Sequence, residues 1–404
     1  MKFVGELVIY LIMISAFLGC AASIINEESE LGNQFLAGVK SIGDIFLPVA
    51  GIMASAPYLT KIVHKIFGNI YSVFGADPSM AATTFIAVDM GGYQLAKQLA
   101  ATNESWIMAM LVGYTAGATI VFSIPVALKM IKKEDREYLA MGIMAGFITI
   151  PVGVLISSII LMVSKPFVRE EISTSGEMTY RLLLNSTEII KNVIPLFIIC
   201  ILITLGLYFK PNQMIKGFSY FGKVMDSILK IVFVLCVIEY FTGIFSRIFN
   251  IWGFDPIIAD EKDINRALEV SGYIGIMLCG AFPMVYLIKK YLEKPLNYVG
   301  NKFNLSTDTT TGILTASANV LALFAILETM KPEDKIRTVA FSVCGAFLIG
   351  DHLAFTANYQ PTLLLPILIG KLGAGVLAIV VANKLIIPKL KEEKLEEALN
   401  YNFN

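Results

Sequence analysis

Residues 138–163 read YLAMGIMAGFITIPVGVLISSIILMV, and none of these side chains is charged. A helix of about 20 apolar residues crosses the hydrocarbon core of a bilayer, so this stretch is long enough to span it. A helix on the surface of a soluble domain would carry a charged or strongly polar face, and none is present here. The stretch therefore predicts a membrane-spanning helix.

The rest of the chain repeats this pattern. It has 404 residues, of which 56% are hydrophobic and 16% are charged, whereas soluble domains carry about 25% charged residues. Strand-like alternation is absent, which disfavours a β-barrel. We predict an all-α polytopic membrane protein with about eleven (ten to twelve) transmembrane helices. The candidate spans are residues 3–25, 42–64, 79–100, 105–129, 138–163, 188–209, 226–249, 266–289, 306–330, 338–358 and 362–386.

Several functional classes are excluded by composition. Lys plus Arg and Asp plus Glu both number 32, and no basic face is present that would follow a phosphate backbone, so nucleic acid is not an expected partner. The five cysteines form no C-x-x-C pair, and the two histidines, His64 and His352, are too few for a His-rich metal site. No H-E-x-x-H motif and no phosphate-binding glycine loop occurs, so we expect neither an enzyme nor a cofactor.

Basic loops indicate the side of the membrane, because cytoplasmic loops carry an excess of Lys and Arg. The loops at 129–137, 210–225 and 289–305 are basic and are predicted to be cytoplasmic. Counting spans back from these loops places the N-terminus on the same side. The glutamate-rich loop at 26–30 and the acidic loop at 255–263 are then outside.

The C-terminal tail does not fit this scheme. Eleven full crossings place it outside, although it carries Lys389, Lys391 and Lys394. Either one late segment does not cross completely, or the tail departs from the positive-inside rule. Segments 306–330 and 338–358 are the weakest candidates, because both contain several Thr, Ser or Gly residues.

A weak internal repeat divides the chain. Residues 55–57, Ser-Ala-Pro, resemble residues 281–283, Ala-Phe-Pro, and reading on in register places Asp89 opposite Asn319. Internal repeats are common in secondary transporters, whose substrate site lies at the repeat interface. The alternative is that Gly, Thr and Pro simply recur in any membrane bundle. The predicted units are a first half-repeat (1–165), an outside loop with a linker helix (166–225), a second half-repeat (226–388) and a charged tail (389–404).

Asp89 is the most informative polar residue. It lies in the middle of a candidate span, where a charge costs about 2.5–3.5 kcal/mol on insertion scales. Gly91 and Gly92 follow it closely, which permits local unwinding and leaves room for a ligand. Asp89 is therefore a candidate ligand-binding carboxylate, and the alternative is a structural ion pair with a Lys of a neighbouring helix.

Four further polar residues interrupt late spans. Asn319 holds the position that matches Asp89, and its amide either binds ligand or bridges helices. Asp351 and His352 are adjacent and favour a proton relay or a cation site, with a helix-end packing pair as the alternative. Lys371 lies between glycines and needs a carboxylate partner, so we predict a gating or structural ion pair with Asp351 or Asp89.

Several strings together resemble one family, the ethanolamine permeases of bacterial ethanolamine-utilisation systems (EutH). The resemblance covers nearly the whole chain, and the Asp-Met-Gly-Gly and Phe-Ser-Ile-Pro-Val-Ala-Leu strings are specific. The charged tail is longer than the family leads us to expect. The strings are GADPSM (75–80), DMGG (89–92), ATIVFSIPVAL (118–128), YLA to TIPVG (138–153), GDHL (350–353) and GKL (370–372).

The resemblance implies a permease for ethanolamine in the bacterial cytoplasmic (inner) membrane, with the lipid bilayer as its surroundings. A second copy of the chain, in a homo-oligomer, is a further candidate partner. Ethanolamine is a primary amine, protonated like Lys at neutral pH. Such a cation needs a carboxylate, an aromatic face and neutral hydrogen-bonding groups. A passive channel for ethanolamine or ammonia and, less favoured, a membrane-embedded enzyme are the rival interpretations. The candidate substrate-binding residues, chosen on physical grounds, are Asp89, Gly91, Gly92, Tyr93, Thr83, Thr84, Phe122, Ser123, Asn319, Asp351, His352 and Phe355.

Overall fold

The computed structural model describes residues 2–257 and 266–392, and helices dominate both parts. Part of the predicted acidic loop at 255–263, and Lys394 with most of the predicted tail, lie outside the described residues. The α-helices are α1 (Lys2–Ile25), α2 (Glu30–Val63), α3 (Asn69–Val73), α4 (Ser79–Phe85), α5 (Gly92–Leu99), α6 (Asn103–Val112), α7 (Ile124–Met130), α8 (Arg136–Phe147), α9 (Ile150–Ser164), α10 (Ser186–Phe209), α11 (Pro211–Thr242), α12 (Ala267–Lys302), α13 (Thr307–Ala318), α14 (Val320–Leu327), α15 (Pro332–Gly345), α16 (Asp351–Tyr359) and α17 (Leu364–Val381).

Shorter elements join or extend these helices. Strands β1 (Phe167–Val168) and β2 (Tyr180–Arg181) pair antiparallel between α9 and α10. The π-helices are His64–Gly68, Gly113–Ser123, Phe245–Phe249 and Ala382–Ile386, and the 3₁₀ turns are Val88–Met90, Lys133–Asp135 and Pro361–Leu363.

The prediction of an all-α membrane protein is confirmed. Within the described ranges, seven helical segments are long and apolar enough to cross a bilayer. The predicted number of eleven crossings is not confirmed. The seven segments are Phe3–Ile25, Glu30–Val73, Asn103–Met130, Lys133–Ser164, Ser186–Phe209, Ala267–Lys302 and Pro361–Glu392.

The two long helices α2 and α12 pack against each other over much of their length. Their backbones approach closely at Gly38, where an added Cβ atom would collide with the backbone of Leu278 and Cys279. Small residues permit such approaches between membrane helices, where packing rather than water exclusion drives association. The α2–α12 pair therefore forms a tightly packed scaffold.

The predicted span at 79–100 is a helical hairpin rather than a crossing. Helices α4 and α5 flank the 3₁₀ turn Val88–Met90, and Gly91 after that turn has φ +93°. The two outer ends of the segment meet, because Asp77 Oδ2 accepts a hydrogen bond of 2.9 Å from the Ala101 amide. Asp77 Oδ1 also accepts from the Ser79 amide at 2.9 Å, just before α4. We call α4, the turn and α5 the first hairpin.

A second hairpin occupies the predicted span at 306–330. Helix α13 ends and α14 begins at Asn319, whose side chain caps α14 by accepting a 2.8 Å bond from the Leu321 amide. The outer ends lie together, since a Cβ atom at Gly312 would lie 3.1 Å from Met330 Cε. We call α13 and α14 the second hairpin. Of the two segments that the sequence marked as weak, this one turns back.

The two hairpins enter the bundle from opposite ends. One end, which we call the strand end, carries β1 and β2, and Tyr180 there donates a 2.8 Å hydrogen bond to Glu104 at the start of α6, next to the first hairpin. The other end, which we call the basic end, brings Lys133, Lys216 and Lys389 around one cavity. The second hairpin starts at the basic end, where Lys391 lies 3.9 Å from Glu333 just after it.

The side assigned to the N-terminus from sequence is wrong. Gly5 packs against Pro361, which lies at the strand end, whereas the loops at 129–137 and 210–216 lie at the basic end. The error arose because the segment at 79–100 was counted as a crossing. That count placed the N-terminus and every loop before residue 79 on the opposite side of the membrane. Counting 306–330 as a crossing likewise displaced the tail. With both segments as hairpins, Lys389 and Lys391 join the other basic loops.

Candidate functional site

Three breaks in regular helix lie near one another inside the bundle. They are the turn of the first hairpin at 88–90, the turn of the second hairpin at Asn319, and residues 346–350 between α15 and α16. The Phe347 amide donates to the Ala316 carbonyl at 3.0 Å, and the Ile349 amide donates to the Ser317 carbonyl at 2.9 Å. Helix α16 in turn packs against the turn of the first hairpin. Broken backbone at membrane depth is typical of cavities that bind polar solutes.

Asp89 lies on the turn of the first hairpin. Its Oδ1 atom is buried and has no hydrogen-bond partner among the described residues. Asp351 begins α16 and is half-buried. The two carboxylates are close enough to interact electrostatically. A buried carboxylate oxygen without a donor is costly, so this position is suited to a ligand that brings a donor and a positive charge.

Lys371 and His352 form a buried polar pair beside the carboxylates. The Lys371 ammonium donates to the Tyr114 carbonyl at 2.8 Å and lies 3.0 Å from His352 Nδ1. An ammonium group can donate hydrogen bonds but cannot accept them, so Nδ1 of His352 is the acceptor. We therefore assign His352 as the neutral Nε2–H tautomer. Lys371 is only 3% exposed and interacts electrostatically with Asp89.

The predicted direct ion pair of Lys371 is not seen. Among the residues that the structure describes, no carboxylate of Asp89 or Asp351 forms a salt bridge with it, and its contacts go to Tyr114 and His352 instead. Lys371 therefore lies near the carboxylates without taking up their hydrogen-bonding capacity.

Aromatic rings form one wall beside this pair. Tyr93 stacks on Trp106 at 4.6 Å between ring centroids and meets the edge of Phe355 at 5.5 Å. The Tyr114 hydroxyl shares a 2.6 Å hydrogen bond with Thr356 Oγ1. The rings of Tyr93 and Phe355 are fully buried, so they fix the shape of the region more than they offer an open face to a cation.

A polar cluster closes the bundle on the strand-end side of this wall. Gln360 donates to the Tyr93 hydroxyl at 2.9 Å and to the Arg169 carbonyl at 3.0 Å, and its Oε1 accepts from the Arg169 amide at 3.0 Å. The Arg169 guanidinium also donates to the carbonyls of Asn358 and Tyr359 at 2.8 Å. The loop that carries β1 and β2 is thereby bonded to the end of α16.

The other sequence-predicted residues have mostly structural contacts. The hydroxyls of Thr83 and Thr84 donate to carbonyls one turn back in α4, at 3.2 and 2.7 Å. A Cβ atom at Gly91 would lie 2.8 Å from Ile52 Cβ, and one at Gly92 would lie 2.5 Å from the Ala87 carbonyl oxygen. These glycines are therefore required by the tight turn that presents Asp89.

Phe122 and Ser123 lie near the break between α15 and α16. The Phe122 ring is 5.9 Å from that of Phe347, and Ser123 lines a small cavity with Thr119 and Phe324. The side-chain oxygen of Asn319 accepts the hydrogen bond that caps α14. Its amide nitrogen remains available to a ligand.

Sequence reasoning missed Tyr114, Thr356 and Gln360. Tyr114 lies in a stretch that reads as an ordinary apolar span, although Gly113 and Gly117 around it mark close packing. Its carbonyl is available to Lys371 because residues Gly113–Ser123 form a π-helix, which shifts backbone hydrogen bonds. No group of three or more His, Cys, Asp or Glu side chains in the described part of the chain is arranged to hold a metal ion.

Comparison with known proteins identifies one family, EutH. A family model described as "Ethanolamine utilisation protein, EutH" matches residues 4–385. The chain is 38% identical over 395 residues to a probable ethanolamine permease EutH of Listeria monocytogenes, covering 98% of this chain and 97% of the relative. It is 37% identical over 368 residues to the protein of the same name in Salmonella typhimurium, covering 89% and 86%. An uncharacterised Bacillus subtilis protein, YxeR, is 32% identical over 376 residues, covering 93% of each chain. No solved structure matches the chain.

Proposed function

Because this chain belongs to the EutH family of ethanolamine utilisation proteins, we propose that it carries ethanolamine, as its protonated ammonium ion, across the bacterial cytoplasmic membrane. Two of its relatives are named probable ethanolamine permeases, which supports ethanolamine as the substrate. The observation that carries the proposal is the buried Asp89 Oδ1 atom at the meeting point of the helix breaks, which has no donor within the described part of the chain. An ammonium group supplies that donor and the opposite charge together.

The charges around this point favour one monovalent cation. With all three groups ionised, Asp89 and Asp351 bring two negative charges and Lys371 brings one positive charge, while His352 is neutral in the assigned tautomer. One positive charge is therefore missing. Leaving a charge uncompensated in a membrane protein interior is costly, so a single ammonium ion of substrate balances the site.

We propose that the two hairpins belong to two inverted repeats that give alternating access to a midplane site. The hairpins enter from opposite ends, and the sequence alignment of Asp89 with Asn319 places one residue at each turn. In this scheme the Gln360–Arg169 cluster closes the strand end, and its opening admits substrate from that side. Inverted repeats of this kind rock or slide around a fixed site in other transporters.

Saturation of uptake separates this mechanism from a passive channel. We expect labelled ethanolamine to enter proteoliposomes at a rate that saturates with concentration, because each transport cycle binds one cation. A rate that stays proportional to concentration up to tens of millimolar would favour the channel instead. Ethanolamine that leaves the assay chemically changed would point to an enzyme.

We expect the basic end to face the cytoplasm, since it gathers the Lys and Arg residues. In a cysteine-free background, Ser175→Cys at the strand end should react in intact cells with a membrane-impermeant maleimide, and Lys133→Cys at the basic end should react only after lysis. A cysteine added before Met1 should also react with the maleimide in intact cells, as Ser175→Cys does. Labelling of Lys133→Cys in intact cells would reverse the orientation.

A further inference from the structure

A sizeable cavity lies at the basic end, remote from Asp89. Its volume is about 770 Å³, and it opens between the start of α8, the junction of α10 with α11, and the segment that follows α17. A cavity of this size accommodates a ligand of several tens of atoms. None of the residues assigned to the substrate site lines it.

Positive charge prevails in this cavity. Lys133, Arg136, Lys216 and Lys389 line it, against Glu134 and Glu137 as the acidic side chains. The excess is two positive charges, four minus two. The cavity therefore favours an anion.

One cationic group in the wall has an unused donor. Arg136 donates through Nη2 to the Leu128 carbonyl at 3.1 Å, which fixes the guanidinium in place. Its Nε–H is buried and has no hydrogen-bond partner within the described residues. A guanidinium is well suited to phosphate, which it recognises through several N–H donors.

Apart from Tyr208 and Asn212, the rest of the wall is apolar. Met141, Met144, Leu207, Ile215 and Leu390 line the same space. A small free anion would leave this apolar surface uncovered, whereas an amphiphile covers it with its own apolar part. The wall chemistry thus pairs an anionic head group with hydrocarbon.

The location fits a lipid that approaches from the bilayer. Helix α10 ends beside the cavity, and its outward face there is apolar, with Leu205 44% and Phe209 71% exposed. Such exposed residues on a transmembrane helix lie against acyl chains. The Tyr208 ring, 4.5 Å from Lys389 Nζ, marks the level of the membrane–water boundary, where Tyr is enriched.

We propose that this cavity binds the head group of an anionic phospholipid, with its acyl chains along the end of α10. Basic pockets between transmembrane helices on the cytoplasmic side recognise such head groups. The bound lipid ties α8, α10 and the segment after α17 together at the basic end. The proposal is independent of the substrate carried.

The test compares lipids on the purified, delipidated full chain in detergent. We expect phosphatidylglycerol to bind about tenfold or more tightly than phosphatidylcholine with the same acyl chains, measured by native mass spectrometry. Lys133→Gln with Lys216→Gln removes two exposed charges without touching a buried contact, and should lower that preference to about twofold or less. The matched control is Lys61→Gln with Lys65→Gln, remote from the cavity, which should leave it unchanged.

Three outcomes would overturn the proposal. One is equal binding of the two lipids, and another is an unchanged preference in Lys133→Gln with Lys216→Gln. The third is displacement of phosphatidylglycerol by millimolar inorganic phosphate, which would identify a site for a free anion instead. Should the double variant prove unstable, each single variant is expected to show an intermediate preference, and parent-like preference in both singles would count against the lipid.

Discussion

Replacing Asp89 by Asn is expected to weaken ethanolamine binding about ten- to hundredfold while the protein still folds. The substitution keeps the volume of the side chain and removes its charge. A charge-assisted hydrogen bond is about twice as strong as a neutral one, so its loss costs on the order of 1.5–3 kcal/mol, which is about ten- to hundredfold in affinity. The measurement is the dissociation constant of ethanolamine for purified Asp89→Asn, normalised to folded protein.

Two further variants distinguish a loss of substrate binding from a loss of structure. Asp226→Asn removes an exposed carboxylate of α11 that pairs with Lys230, and should leave binding unchanged. Asp89→Asn with Lys371→Met tests a purely structural role, in which Asp89 neutralises Lys371. Parent-like affinity in Asp89→Asn would remove Asp89 from the substrate site. Poor folding of Asp89→Asn that the double variant restores would make Asp89 structural.

Replacing Lys371 by Met is expected to change which cations the protein prefers. The side chain has similar volume, but the region around Asp89 and Asp351 then lacks two positive charges rather than one. We expect the affinity for a dication, 1,3-diaminopropane, to rise relative to that for ethanolamine by about tenfold or more, which corresponds to about 1.4 kcal/mol. Competition of both amines against labelled ethanolamine measures this ratio.

The ratio distinguishes a change of charge from damage to the fold. General destabilisation lowers the binding of both amines together and leaves their ratio constant. Lys230→Met, which removes an exposed charge of α11, is the matched control and should keep the parent ratio. A parent-like ratio in folded Lys371→Met would show that Lys371 does not set the charge of the site.

The membrane class was predictable from sequence, and the crossing count was not. Apolar length is a local property, so stretches such as 138–163 identify helices reliably. Whether a helix continues across or turns back depends on distant contacts, such as the bond from the Ala101 amide to Asp77. Each turn is marked by a residue type that the sequence shows. Gly91, with φ +93°, follows the first break, and Asn319 caps the helix after the second break.

The candidate site was predictable in its charged residues and less so in its contacts. A charge within an apolar span is rare enough to mark Asp89, Asp351 and Lys371 directly. Their partners were not predictable, because Lys371 bonds to a backbone carbonyl, that of Tyr114, which any residue type provides. The hydroxyls of Thr83 and similar residues looked suitable for a ligand, yet they bond within their own helix, a local alternative open to any Thr.

Counterflow in proteoliposomes tests the central proposal most directly. Vesicles loaded with millimolar unlabelled ethanolamine are diluted into a trace of labelled ethanolamine outside. Alternating access at a single cation site predicts a transient accumulation of label above its equilibrium level, which is smaller with Asp89→Asn and absent with empty vesicles. Label that rises to equilibrium without an overshoot, at the same rate in loaded and empty vesicles, would contradict a carrier and favour a channel.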